Sequence, residues 1–323
     1  MIRIAVVGYG NLGRGAVRAV LAAPDMTLAG VYTRRSPDAV GTEENIPVYP
    51  FSVLPSHAER IDVALLCGGS ATDLPHMTPA VAAYLPVVDS FDTHADMLSH
   101  VRRVDAVARL SGHPALVGAG WDPGLFSLAR LYGAAVLPVG ETVTFWGRGV
   151  SQGHSDALRR VDGVIDAVEF TVPKESAVAA ASEGENLPTR PTDLHRRECY
   201  IAVRDGTDTA AVARTVRDMP NYFSGYETDI CFVSPEEVRA RRGRLPHGGE
   251  VIRRGTAAED AVTLDMRMHT ASNPAFTGSV MTACARALYR MKTRGHIGCL
   301  TPFDIAPVDL LPAKREEVIS EYM

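Results

Sequence analysis

The sequence predicts an α/β protein: a Rossmann-type parallel sheet forming a nucleotide domain, joined to a second domain of mixed α/β character. Three observations carry this expectation. A glycine fingerprint, Gly8-Tyr-Gly10-Asn-Leu-Gly13, stands directly behind an Ile- and Val-rich run. Strand-like runs then alternate with helical spacings through the first third of the chain, the rhythm of βαβ units on a parallel sheet. From about Trp121 that rhythm gives way to alternating apolar and polar residues, as in strands with one solvated face. At roughly 150 residues per domain, 323 residues also make about two domains.

The elements follow in order. Ile2 to Val7 is the first strand, and Leu12, Ala16, Ala19 and Val20 recur at helical spacing behind the glycines. Met26 to Tyr32 and Ile61 to Cys67 are further strands, the second stopped by Gly68-Gly69-Ser70. Ala95 to Leu110 reads as a helix between two short buried strands, Leu85 to Asp89 and Leu116 to Gly118. Later, Thr142 to Trp146, Tyr200 to Val203, Asp229 to Val233 and Ala261 to Met268 alternate as antiparallel-type strands. Helices are expected at Ser155 to Arg160 and Thr209 to Asp218 between them. The polar stretch Glu183 to Arg196, with two prolines, reads as a long surface loop. Thr277 to Lys292 restores a helix, with Val280, Cys284, Leu288 and Met291 on one face. The expected domains are 1–118, completed by about 270–323, and 119–269.

Composition narrows the function. Hydrophobic residues make up 46% and charged residues 22%, a globular balance that leaves out disorder and fibrous repeats. A formal net charge of −5 gives no electrostatic footprint for nucleic acid or an anionic membrane surface. No apolar run approaches the roughly 18 residues of a transmembrane helix, and the opening run is too short for a signal peptide. Five widely spread cysteines form no Cys-x-x-Cys and read as reduced thiols of a cytoplasmic protein. The ten histidines show no His-x-x-x-His or His-Glu-x-x-His spacing, so no metal is expected.

Gly8, Gly10 and Gly13 follow a strand and open a helix, the context a dinucleotide fingerprint requires. The first makes the tight turn, the second lets the backbone approach a pyrophosphate, and the third lets helix and strand pack closely. A glycine turn that binds nothing is the plainer alternative. The end of the second strand decides which dinucleotide. NAD binders carry an acid there for the ribose 2′-hydroxyl, whereas this chain has Thr33-Arg34-Arg35-Ser36. Two guanidinium forks suit a 2′-phosphate, so the position favours NADP. Cys67-Gly68-Gly69-Ser70-Ala-Thr-Asp73 closes another strand, either against the cofactor or simply as the start of a helix. Cys67 reads as packing rather than as a nucleophile, since no histidine lies near it in sequence.

Asp92 and Asp122 each follow a strand of the presumed sheet. A carboxylate at either place can hold an ammonium group or help remove its proton. Each can equally cap the helix behind it, with Pro123 as a favourable first helical residue. Trp121 and Trp146 can be core or pocket wall, and His247, before two glycines, a ligand contact or an exposed turn. Gln152-Gly153-His154 forms an N-terminal turn whose backbone N–H groups suit a carboxylate.

Taken in order, these segments resemble the meso-diaminopimelate dehydrogenase family. The stretches that carry the resemblance are Val-Val-Gly-Tyr-Gly-Asn-Leu-Gly-Arg14, Leu-Cys-Gly-Gly-Ser-Ala-Thr-Asp-Leu-Pro75, Gly-Trp-Asp-Pro-Gly124, Phe-Trp-Gly147, Ser-Gln-Gly-His-Ser-Asp-Ala-Leu-Arg-Arg160, Met-Pro-x-Tyr-Phe-x-Gly-Tyr-Glu227 and Leu-Pro-His-Gly-Gly249. The resemblance implies an NADP-dependent homodimer whose second domain binds substrate and dimerises. It implies oxidative deamination of meso-2,6-diaminopimelate at its D-centre, a step of lysine biosynthesis. Tyr9, Asn11, Leu12, Thr33, Arg34, Arg35, Cys67, Gly68, Gly69, Ser70, Ser90, Phe91, Asp92, Ala119, Gly120, Trp121, Asp122 and Pro123 would line NADP. Asp92, Asp122, Trp146, Gln152, Gly153, Thr171, Arg197, His247 and Asn273 would line the substrate, Asp92 and Asp122 doing the catalytic work. One departure is Gly68, where the family is expected to carry a bulkier residue such as Met. Two rivals stand beside this reading. One is another NADP reductase, of dihydrodipicolinate-reductase type, whose His-His-x-x-Lys signature is missing from the sequence. The other is a non-catalytic NADP-binding sensor.

Overall fold

The computed structural model describes residues 1–42, 46–184 and 190–323. Within them the strands run, in chain order, β1 (Ile2–Val7), β2 (Met26–Thr33), β3 (Val48–Pro50), β4 (Val63–Leu66), β5 (Val87–Asp89), β6 (Pro114–Leu116), β7 (Gly140–Trp146), β8 (Gly149–Val150), β9 (Val164–Pro173), β10 (His195–Val203), β11 (Glu227–Phe232), β12 (His247–Ala257), β13 (Asp260–Thr270) and β14 (Gly298–Leu300). The chain divides into two compact units, 1–128 with 274–323, and 129–273. The first division falls later than 118/119 because bonds hold the following residues to unit 1. Gly118 and Ala119 donate their N–H groups to Asp89, at 3.0 and 2.8 Å, and Trp121 packs edge-on against Phe126.

Unit 1 is one sheet in the order β3-β2-β1-β4-β5-β6-β14, every pair parallel. This is the Rossmann order extended at one edge by β14. Helices cover both faces, so its central strands are apolar almost throughout. On β1, Ile2, Ile4 and Val6 join one apolar cluster while Ala5 and Val7 join the other. The first cluster takes Ala16, Val17 and Val20 from the helix Asn11–Ala22 and Met281, Ala285 and Leu288 from the helix Asn273–Thr293. These two helices meet at glycines. A Cβ on Gly15 would lie 2.6 Å from the Pro274 carbonyl oxygen, and one on Gly278 would lie 2.5 Å from the Ala16 nitrogen. Arg286, buried on the same helix, grips both carboxylate oxygens of Asp25 at 2.6 and 2.7 Å. Breaking such a pair from one side costs about 3–5 kcal/mol, because a buried charge is left without its partner.

Unit 2 holds two sheets, β11-β10-β9-β8 and β13-β12-β7. β9 and β10 are antiparallel, as are β7, β12 and β13. β10 and β11 are parallel, which corrects the expectation for Tyr200 to Val203 and Asp229 to Val233. The helix Thr209–Arg217 lies between them in sequence and carries the chain back to the starting end, the crossover a parallel pair requires. Asp208 caps this helix by accepting from the N–H groups of Ala210 and Ala211. The expected loop Glu183 to Arg196 is corrected in part. Residues 185–189 lie outside the described residues, Pro191–Leu194 is a short helix, and His195 opens β10. Charged Arg197 and Glu198 hid that strand, yet both are buried.

Candidate functional site

The glycine fingerprint has the geometry of a phosphate cradle. Gly8 has φ +95°, and a Cβ on Gly13 would meet the Gly8 carbonyl oxygen at 2.0 Å, so neither tolerates a side chain. A Cβ on Gly10 would meet nothing within 4 Å, which leaves open space over the helix start. Gly10 is the N-cap, and no side chain caps the helix. The positive end of its dipole therefore stands uncovered for an anion. At the end of β2, Arg34 pairs with Asp73 at 2.7 Å, and Arg35 donates to the Tyr9 carbonyl oxygen at 3.0 Å. These residues fit a dinucleotide with a 2′-phosphate.

Asp73 was not singled out from the sequence. The Gly69 N–H, followed by Arg34, holds its carboxyl below the usual carboxylate range. A Cβ on Gly68 would lie 2.7 Å from the Asp73 Cβ, so in this chain glycine lets Asp73 fold back over the turn. Cys67 is half-buried, and burial pushes its thiol up to about 12, in keeping with packing. Ser70 joins this turn to the next strand end: its Oγ accepts from the Asp92 N–H at 2.8 Å and lies 3.3 Å from the Thr93 hydroxyl.

Asp89 organises the two loops that carry Asp92 and Asp122. It is fully buried at the end of β5. One carboxylate oxygen accepts from Phe91 N–H at 3.1 Å and Gly118 N–H at 3.0 Å; the other meets Thr78 Oγ1 and His100 Nε2, both at 2.7 Å. The loops 90–92 and 118–122 therefore start from one anchor. Capping does not account for Asp92, since Thr93 is the N-cap of the turn His94–Asp96. Nor is Pro123 a first helical residue, for the helix behind it is Leu125–Val136. Asp92 is exposed and Asp122 half-buried; Trp121 is core, whereas Trp146 is 38% exposed.

In unit 2, register brings Thr171 and Arg197 directly opposite each other on β9 and β10. Both are buried. Arg197 Nη1 donates to Thr171 Oγ1 and lies 3.4 Å from Glu169 Oε1, while the Tyr226 ring lies 4.2 Å from its guanidinium. Glu169 is fully buried, and burial pushes its carboxyl up to about 8 against the pull of Arg197 and Thr171. His247, at the start of β12, sits over Gly149, where a Cβ would come 2.3 Å from its ring. Burial draws its imidazole down, toward the neutral form. Gln152 and Gly153 open the helix Gln152–Arg159, capped by Ser151, and both are exposed. Asn273 donates its N–H to the Leu245 carbonyl oxygen at 2.9 Å. Trp146 gains an unforeseen partner, His195, whose Nε2 accepts the Trp146 backbone N–H at 3.0 Å and whose ring stacks on the indole. Burial holds His195 down at about 4, so the ring is a neutral acceptor.

A family model of the diaminopimelic acid dehydrogenase C-terminal domain matches residues 120–271. A meso-diaminopimelate D-dehydrogenase of Ureibacillus thermosphaericus is 47% identical over 317 residues, 98% of this chain and 97% of that protein. The chain belongs to the meso-diaminopimelate D-dehydrogenase family. Among solved structures of that kind, a C. glutamicum DAP dehydrogenase in complex with DAP is 39% identical, with TM-score 0.91 over 100% of this chain and 99% of that one. An engineered D-amino acid dehydrogenase bound to NADP+ is 37% identical, with TM-score 0.87 over 100% of this chain and 99% of that one. Sequence reasoning missed four residues that touch the candidate site residues or the loops that carry them: Asp73, Asp89, Glu169 and His195. A lone acid inside the apolar run Ala167-Val-Glu-Phe-Thr-Val172 was the available signal for Glu169.

Proposed function

We propose that this chain oxidises meso-2,6-diaminopimelate at its D-centre with NADP+ and water, giving L-2-amino-6-oxopimelate, ammonium, NADPH and a proton, reversibly, in lysine biosynthesis. Bound NADP+ supplies the hydride acceptor. Gly8, Gly10 and Gly13 take its pyrophosphate at the helix start, and Arg34 and Arg35 its 2′-phosphate. Asp92 and Asp122 hold the reacting amine and help take its proton, so that the α-carbon can release hydride. Trp146, steadied by neutral His195, shapes the pocket. Arg197, Thr171 and His247, with Asn273, Gln152 and Gly153, take the second amino-acid end.

The observation that carries this reading is Arg197: a buried guanidinium, oriented by Thr171 and Tyr226, whose Nε has no hydrogen-bond partner among the described residues. A buried cation of that kind calls for an anion, and the distal carboxylate supplies one. The test is reduction of NADP+ with meso-, LL- and DD-diaminopimelate side by side. The meso isomer, and not LL, is expected to yield NADPH; silence with meso would return the chain to a reductase of another specificity.

The protein works as a homodimer in the cytoplasm. On β13, an edge strand, Val262, Leu264, Met266 and Met268 form one apolar face, with Leu264 40% and Met266 37% exposed, which supports a second copy covering it. The free cysteines support a reducing compartment. Among the described residues no helix is long and apolar enough to cross a membrane.

A further inference from the structure

Glu169 is a fully buried carboxyl that the reaction above leaves without a task. It stands on β9 two residues before Thr171, on the same face, with Cys199 of β10 opposite. Its Oε1 lies 3.3 Å from the Thr171 hydroxyl and 3.4 Å from Arg197 Nη1. Its Oε2 and Arg197 Nε have no hydrogen-bond partner among the described residues. Buried Arg–carboxylate pairs frequently close as a fork on both oxygens, which this pair does not. Here the guanidinium is held by Thr171 and Tyr226, while the carboxyl touches it by one edge only.

We propose that Glu169 sets how much of the Arg197 charge is available to a bound carboxylate, its neutral form leaving the guanidinium to the substrate and its ionised form competing for it. The inference rests on the assignment of Arg197 to the distal carboxylate. Two carboxylates beside one buried guanidinium repel each other, so binding of the second raises the proton affinity of the first. The surroundings decide which form Glu169 adopts. Arg197 and Thr171 favour the anion. Glu198 on β10 opposes it, although Arg148 and Arg196 pair with that residue. Cys199 faces Glu169 as a thiol whose ionisation burial pushes up, and His154 on the helix Gln152–Arg159 is drawn down to about 4. Arg242, from the helix Pro235–Arg242, reaches β9 but pairs there with Asp166. Burial outweighs the rest and leaves Glu169 titrating at about 8. The carboxyl is then mostly neutral at pH 7 and mostly ionised at pH 9.

The experiment is kcat/KM for meso-diaminopimelate from pH 6.5 to 9.5 at saturating NADP+, for wild type and Glu169→Gln. Their ratio cancels ionisations of substrate and coenzyme that both share. Glutamine stays neutral, so the wild-type to variant ratio is expected to fall about fivefold or more between pH 7 and 9, through KM rather than kcat. A ratio that stays constant across the range overturns the proposal, since a purely structural glutamate shifts every pH alike. Should the variant fail to fold, titration calorimetry of meso-diaminopimelate into wild-type enzyme loaded with NADPH, in two buffers of different ionisation enthalpy, reads the same linkage. Proton uptake peaking near pH 8 is expected, and no uptake there overturns it. Arg197→Met at pH 7 separates the two assignments. A steep rise in KM with a constant Glu169 ratio removes only the role of Glu169, whereas an unchanged KM removes the distal clamp and this inference together.

Discussion

Replacing both Arg34 and Arg35 by alanine is expected to destroy the preference for NADP while leaving NAD binding almost as it was. In the free protein, Arg34 is 61% exposed on its side chain and paired with Asp73 at 2.7 Å. A pair that exposed is worth only about 0–1 kcal/mol, so it is readily shared with or surrendered to a phosphate. Arg35 is already oriented by the Tyr9 carbonyl oxygen at 3.0 Å. Charge-assisted bonds to a phosphate contribute roughly 1.5–3 kcal/mol each. Two of them, less the Asp73 pairing and the screening of an exposed site, leave roughly 2–4 kcal/mol. That corresponds to about 30- to 700-fold in the NADP dissociation constant. NAD lacks the 2′-phosphate and should weaken by less than about threefold. Calorimetric titration of both coenzymes at one ionic strength measures the two constants. An equal loss for NADP and NAD would show that the arginines support the fold of the strand end and do not read the phosphate.

Asp122→Asn keeps the shape of the side chain and removes its charge, so kcat is expected to fall by roughly a hundredfold or more with the NADP dissociation constant unchanged. Wild-type turnover would remove Asp122 from the chemistry. Arg197→Met, assayed on meso-diaminopimelate and on a D-amino acid without the distal group, should lose activity steeply on the first and little on the second; parallel losses would tie Arg197 to the fold instead. Glu169 has a stability signature as well. Its carboxyl is raised from 4.5 to about 8 in the folded chain, so the stability it contributes is full below pH 4.5 and is lost as pH rises toward 8. Glu169→Gln, which cannot ionise, should therefore gain stability relative to wild type across that window, on the order of a few kcal/mol. Urea unfolding at pH 5 and pH 8 measures the difference, and an equal offset at both would refute the raised titration.

The parallel sheet was legible in the sequence because its signals are local. β1, the glycines and the arginines of β2 sit within one continuous stretch, and buried strands show as plain apolar runs. β3 and β14 have three residues each, too few to carry a period. β9 was hidden by Glu169, an acid where the apolar pattern calls for core, and β12 by Glu250 and Arg253, which are buried although charged. Strand direction was illegible for another reason: alternation tells which face is solvated, not which way the neighbour runs. The site divided in the same manner. Residues that would meet a ligand were readable from type and position, whereas Asp73, Asp89 and His195 act by holding other residues, and only three-dimensional contacts disclose that.

The return of the chain to its first sheet has a consequence during synthesis. Leu116 on β6 pairs with Leu300 on β14, and the whole of unit 2 is made between them. At about 5–20 residues per second, the edge of β6 waits roughly 10–40 s on the ribosome for its neighbour. The apolar cluster on one face waits equally long for Met281, Ala285 and Leu288, all fully buried in the finished protein. The inserted unit is therefore complete before the unit that begins the chain. A nascent chain halted before the helix Asn273–Thr293 would hold a nucleotide-binding half with one face uncovered, a species that chaperones bind and proteases cut.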